Sequence, residues 1–157
     1  RRPLIYRAKR TGKDGKIFDM YKFSSMVDGA DQDLEKLLGE YGEVNKIKND
    51  PRITPVGKII RSLSFDELPQ WVNVVKGQMS LVGARPRSQE ETMDLLAMGY
   101  KDVVEINPGL TSLACIGGRK DLNLEQMAEV DKTYTPTLRN DLEILWETAK
   151  SAWYRGR

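Results

Sequence analysis

Residues Thr54–Arg87 read TPVGKIIRSLSFDELPQWVNVVKGQMSLVGARPR, and the fold can be read outward from this stretch. Thr54 is a good helix N-cap and Pro55 suits the first helical position, where a missing N–H costs nothing. Val56, Ile59, Ile60 and Leu63 then recur at the spacing of one helical face. Past Ser64 the same spacing returns at Leu68, Trp71, Val72 and Val75, which predicts a second helix that Gly77 ends. Met79–Val82 is short, apolar and predicts a buried strand, followed by the kinked segment Gly83–Arg87.

On the N-terminal side, Leu4–Lys9 and Lys16–Phe23 are strand-like and are joined across Gly12-Lys13-Asp14-Gly15, a strong hairpin signal. Leu34, Leu37, Leu38 and Tyr41 have helical spacing before Gly42, and Asn49-Asp50-Pro51-Arg52 reads as a turn. On the C-terminal side, Ser88 and Glu91 form a capping box that opens a helix ending near Gly99. Leu110–Ile116, between Pro108-Gly109 and Gly117-Gly118, predicts another strand. Helices follow near 123–134 and 137–154, the last with an apolar stripe of Leu138, Leu142, Leu145, Trp146, Ala149 and Trp153. With no repeat, low-complexity tract or linker, residues 1–157 are expected to form one α+β domain, helix-rich, with an N-terminal β-hairpin and short strands.

Composition narrows the chemistry. There is no histidine and one cysteine, Cys115, which is most simply a small buried apolar residue. These counts exclude histidine-based triads, multi-cysteine zinc sites and internal disulfides. Any reaction falls to carboxylates, basic groups, hydroxyls or a hard cation on oxygen ligands. Residues 1–25 hold eight basic and two acidic side chains, +6 in a chain of net charge +2, which leaves −4 for the remainder. Such a beginning suits an anionic lipid or nucleic-acid surface, or is a solvated basic hairpin. No run of about 18 apolar residues spans a bilayer and no signal peptide is seen; the absence of an initiator methionine suggests an upstream segment.

At the junction of the two central helices, Asp66 and Glu67 stand in a first helical turn, where free N–H groups favour negative charge. Ser64 and Glu67 have capping-box spacing, so a purely structural role accounts for part of this pair. Adjacent helical side chains diverge by about 100°, however, so both carboxylates cannot simply cap. Arg61 lies close by in sequence, and a helix N-terminus beside a carboxylate suits a phosphate, Mg²⁺ or attack on phosphorus. Arg85-Pro86-Arg87 presents two guanidinium forks on a stiff backbone, either for phosphate or as surface arginines. Asp131, taken by itself, reads as solvent-exposed.

Taken in order, KRTGKDGKIFDMYKFSSM, the DPRITPVGKIIRSLSFDELPQWVNVVKGQMSLVGARPR block, NPGLTSLACIGGR and the closing DLEIL helix resemble the bacterial sugar transferases, the monotopic polyprenol-phosphate phosphoglycosyl transferases. The resemblance implies that Asp66 is the nucleophile and a Mg²⁺ ligand, with Glu67 as proton acceptor or orienting group. It implies a nucleotide-diphosphate sugar, usually a UDP-sugar, as donor and a polyprenol phosphate as acceptor. Lys22, Arg61, Arg85 and Arg87 match basic positions of the family motifs and are the phosphate-binding candidates; Arg119 and Asp131 match further motif positions. The family's N-terminal membrane segment would precede Arg1, placing the enzyme on the cytoplasmic face of the bacterial inner membrane, where the basic beginning meets anionic headgroups.

Some positions depart from the pattern. Ser24 stands where KFRSM has arginine, Ala84 replaces the proline of GPRP, and Ser112 and Cys115 replace the glycine and glutamine of PGITGxAQ. These changes motivate an alternative, a non-catalytic partner-binding relative on the same fold. Nucleic acid is not an expected partner, because the body is net negative; a homo-oligomer is left open.

Overall fold

The computed structural model of the chain describes residues 3–30, 50–116 and 122–155. It is an α+β fold, as expected. Strands β1 (Ile5–Thr11) and β2 (Ile17–Phe23) pair antiparallel from Ile5↔Phe23 to Thr11↔Ile17, two residues beyond the expected end of the first strand. The turn works because Asp14 (φ 58°) and Gly15 (φ 74°) adopt the left-handed conformation that Asp-Gly tolerates well. Alternation along the hairpin buries Ala8, Phe18 and Met20, which close on Met79 and Val74.

Helix α1 (Pro55–Ser62) starts as its sequence dictates, with the Thr54 hydroxyl accepting the Gly57 N–H at 2.9 Å. A 3-10 turn, Phe65–Gln70, leads directly into the short helix α2 (Trp71–Val75), so one predicted helix is resolved into two unlike pieces. The reason is at Ser64. It sits at φ 56°, its side chain makes no capping bond, and the expected capping box with Glu67 is absent. A serine in the left-handed region costs on the order of 1–2 kcal/mol and breaks the helical path there.

Strand β3 (Ser80–Val82) runs parallel to β4 (Gly109–Thr111), in the register Ser80↔Gly109 and Val82↔Thr111. Backbones approach closely where they meet. A Cβ on Gly83 would lie 2.1 Å from the Asn107 carbonyl oxygen, and one on Gly109 2.2 Å from the Gly83 nitrogen. The expected strand Leu110–Ile116 ends at Thr111 and turns into a 3-10 segment, Leu113–Cys115, with Cys115 exposed rather than buried. Helix α3 (Gln89–Ala97) opens on the Ser88/Glu91 capping box. It packs with α4 (Lys101–Val104) and α5 (Leu124–Lys132) around Leu95, Val103 and Ala128, a second core.

The long helix α6 (Leu138–Arg155) covers β3 and β4 with Ile144 and with Thr148, whose hydroxyl meets that of Thr111 at 2.7 Å. Its expected apolar stripe faces outward instead: Leu138, Leu142 and Trp146 are exposed. Val56, Ile59, Leu63, Leu68, Trp71, Val72 and Val75 of the two central stripes are exposed likewise, as is Phe65 between them. Periodicity identifies an amphipathic element without saying which side the body covers. The predicted helix around Leu34–Tyr41, Arg119 and the Gly117-Gly118 loop lie outside the described residues.

Candidate active site

β2 forms one wall of the site, and a buried amide helps to hold it there. Asn73, fully buried in α2, accepts the Tyr21 N–H at 3.1 Å on its side-chain oxygen. Its side-chain N–H groups donate to the Asp19 carbonyl at 2.7 Å and to Gln78 Oε1 at 2.8 Å. The amide thus serves the free edge of β2 as a neighbouring strand would, satisfying groups that burial would otherwise penalise. Lys76 adds a second clip, its ammonium 3.1 Å from the Tyr21 hydroxyl and 5.0 Å from the ring centroid. Residue 22 follows directly, and its ammonium lies 3.5 Å from Glu67 Oε1 across the interface between β2 and the 3-10 turn.

The two neighbouring carboxylates are therefore in different circumstances. Glu67 is matched with Lys22, so it is not a resting helix cap. Asp66, half-buried, makes no hydrogen bond or ion pair among the described residues. A carboxylate oxygen with free lone pairs can accept a cation or approach an electrophile. No group of three or more acidic, cysteine or histidine ligands exists among the described residues. A hard cation here would rest on Asp66 and draw its other ligands from phosphate oxygens and water, as Mg²⁺ commonly does. The residues present fit that ion.

Arg61, at the end of α1, donates from Nε to the Ser25 hydroxyl at 2.8 Å, which leaves the outer edge of its exposed guanidinium open. Ser25 is itself held: its carbonyl accepts the Thr54 N–H at 3.0 Å and sits against Gly57. The remaining candidates form a separate group. Asp131 on α5 is fully buried, against its reading as exposed, and its Oδ2 lies 2.6 Å from the Arg87 guanidinium and 3.1 Å from the Arg85 N–H. Burial pushes the Asp131 carboxyl above its ordinary range, and the charge of Arg87 pulls against that shift. Arg87 is buried too, whereas Arg85 is partly exposed and sends its guanidinium toward the Met127 sulfur, 3.1 Å away. No hydrogen bond or ion pair joins this group to the Lys22, Arg61, Asp66 and Glu67 group among the described residues.

Ser25 and Asn73 escape sequence reading. Asn73 left a trace, a lone amide among the apolar residues Trp71–Val75, whereas nothing local marks Ser25. Beside the carboxylates lies a further unforeseen feature, the exposed apolar face of α1, the 3-10 turn and α2.

A carboxylate pair on a histidine-free α+β scaffold, with lysine and arginine around it, is a set of groups able to meet an anion. A family model described as bacterial sugar transferase matches residues 1–155, and the chain belongs to that family. It is similar to the undecaprenyl-phosphate galactose phosphotransferase of Salmonella typhimurium, 42% identical over 94% of this chain and 33% of that protein. It is similar also to the UDP-glucose:undecaprenyl-phosphate glucose-1-phosphate transferase of Klebsiella pneumoniae, 37% identical over 96% of this chain and 30% of that one. The exopolysaccharide production protein ExoY of Rhizobium meliloti is 35% identical over 92% of this chain and 68% of its own. The chain thus spans about a third of the length of the first two relatives.

Proposed function

We propose that this chain transfers a phospho-sugar from a UDP-sugar to undecaprenyl or a similar polyprenol phosphate, initiating assembly of a surface polysaccharide or glycoconjugate. The observation that carries the reading is the unequal pair: Asp66 without a partner among the described residues, beside Glu67 matched to Lys22. Family membership and the relatives' names support the chemistry.

An Asp66 oxygen attacks the β-phosphorus of the donor, the bond to the α-phosphate breaks, and the nucleoside monophosphate leaves. The phospho-sugar stays on Asp66 as an acyl phosphate. An oxygen of the polyprenol phosphate then attacks the same phosphorus, the aspartyl bond breaks, and Glu67 orients the acceptor and takes any proton it carries. Two displacements replace a direct encounter of two anionic phosphates, and a carboxylate is already ionised at neutral pH. Lys22, Arg61 and Arg85 lower the repulsion between carboxylate and phosphates. Mg²⁺ held on Asp66 would supply further neutralisation of phosphate charge.

The acceptor is a lipid, so the site has to work at a membrane surface. The exposed apolar face of α1, the 3-10 turn and α2, beside the carboxylates, suits insertion among acyl chains, and the basic hairpin suits anionic headgroups at the cytoplasmic leaflet. Among the described residues no helix is long and apolar enough to cross a membrane.

The test is UMP release from a panel of UDP-sugars with undecaprenyl phosphate in membrane fractions. Asp66→Ala is expected to lower turnover at least about 1000-fold and to abolish a trapped phospho-sugar adduct. Normal turnover by that variant would refute the assignment.

A further inference from the structure

The arginine group and Asp131 can be sorted by what each polar atom touches. Asp131 is sealed from solvent, and its engaged oxygen, Oδ2, meets one main-chain N–H and one buried guanidinium. A carboxylate that binds a substrate has to face it; this one faces the loop behind it. The loop is fixed elsewhere by main-chain bonds, from the Ala84 N–H to the Asn107 carbonyl at 3.0 Å and from the Thr11 N–H to the Arg87 carbonyl at 3.0 Å. Between these two points the Arg85 N–H has Asp131 as its acceptor, at 3.1 Å. The second oxygen, Oδ1, is buried without a hydrogen-bond partner among the described residues. The carboxylate is therefore retained at a desolvation cost, for the two contacts that Oδ2 makes.

The arginines divide accordingly. Arg87, 6% exposed, gives its guanidinium to Asp131 at 2.6 Å and has little left to offer a ligand. Arg85, partly exposed, is anchored by its backbone, and among the described residues its guanidinium hydrogen-bonds only to a thioether, a weak acceptor.

We infer that Asp131 and Arg87 are positioning residues that fix the main chain at Arg85, and that Arg85 alone of the two arginines presents its guanidinium to a phosphate of the substrate. The inference rests on the phospho-sugar transfer reading. It assigns Asp131 no contact with substrate. An asparagine at position 131 keeps an oxygen for the Arg85 N–H but withdraws the charge that neutralises buried Arg87, so the loop loosens without losing its place.

A double-mutant cycle in the membrane-fraction assay separates the alternatives. Arg85→Ala is expected to raise KM for the UDP-sugar at least tenfold. Asp131→Asn should raise it less, and should add nothing once Arg85 is already alanine. Effects that multiply in the double variant would overturn the inference, because Asp131 would then act on the substrate or on the whole fold. Should Asp131→Asn not accumulate as folded protein, Arg87→Met in the Arg85→Ala background supplies the same cycle, with the same two outcomes. An unchanged KM in Arg85→Ala, in a protein that Asp66→Ala inactivates, would sink the inference and leave the transfer reading standing. Full turnover by Asp66→Ala would instead remove the transfer reading itself.

Discussion

Ser64 decides the local geometry of the carboxylates. Its φ of 56° ends α1 and lets the chain enter a 3-10 turn, on which Asp66 and Glu67 are neighbours with different surroundings. Sequence reading points to these two residues for an incomplete reason. The spacing Ser64-x-x-Glu67 fits a capping box, but a left-handed serine and a lysine from another element take the two side chains out of it. A long-range partner such as Lys22 is invisible to local spacing. The left-handed conformation has a direct consequence for stability. Ser64→Gly removes the Cβ conflict at a small entropic cost, so it should be neutral to about 1 kcal/mol stabilising, a rise of up to roughly 2–4 °C in melting temperature. A serine acting as N-cap would lose a few tenths of a kcal/mol on the same change. Calorimetry of the variant decides between them.

At the scale of elements, several starts and the hairpin turn were legible. Thr54-Pro55, Ser88/Glu91 and the Asp14-Gly15 turn all appear as their residue chemistry requires. The orientation of the amphipathic pieces was not. Trp71 (50% exposed) reads as a packing residue in sequence, yet the body leaves it outside, with Phe65 (51% exposed) beside it. Burial is decided by what other elements cover, and the hairpin meets α2 through Asn73 and Val74 instead. If the outer face enters lipid, Phe65→Glu or Trp71→Glu should lower the fraction of protein that sediments with anionic vesicles several-fold. The melting temperature should stay within about 2 °C, because surface changes of this kind rarely exceed 0.5 kcal/mol. A drop of many degrees would instead mark these side chains as part of the packing.

Across the whole molecule, buried polar pairs accompany the two small apolar cores. The Asp50–Arg52 pair is one of them. Asp50 Oδ2 lies 2.6 Å from Arg52 Nη2, both side chains are buried, and Arg52 Nη1 reaches the Ala30 carbonyl at 3.4 Å. The hydrogen bond to Arg52 holds the Asp50 carboxyl below its ordinary value of 3.8, against the opposing effect of burial. A lowered folded-state value means the stabilisation is fully present above the ordinary carboxylate range and is lost as pH falls through the folded value. Urea midpoints of wild type and Asp50→Asn should therefore differ near neutrality and converge as pH drops below 3.8. A constant difference across that window would show that the charge of Asp50 is immaterial. The sequence read Asn49–Arg52 as a turn, which is right for Asp50–Arg52 but silent about the buried pair that gives the turn its value.

The close crossing of Gly83 and Gly109 bears on how this chain tolerates change over generations. Neither residue has room for even one carbon, and the obstacles are main-chain atoms that no rotamer change can move aside. Substitutions there remove the support under Arg85 however mild they look on a similarity scale. Gly77 and Gly99 have nothing within 4 Å of a would-be Cβ and are held to glycine only by positive φ, which asparagine tolerates. A drifting lineage can therefore exchange the second pair while the first stays fixed, and glycines of equal standing in the sequence carry very different histories.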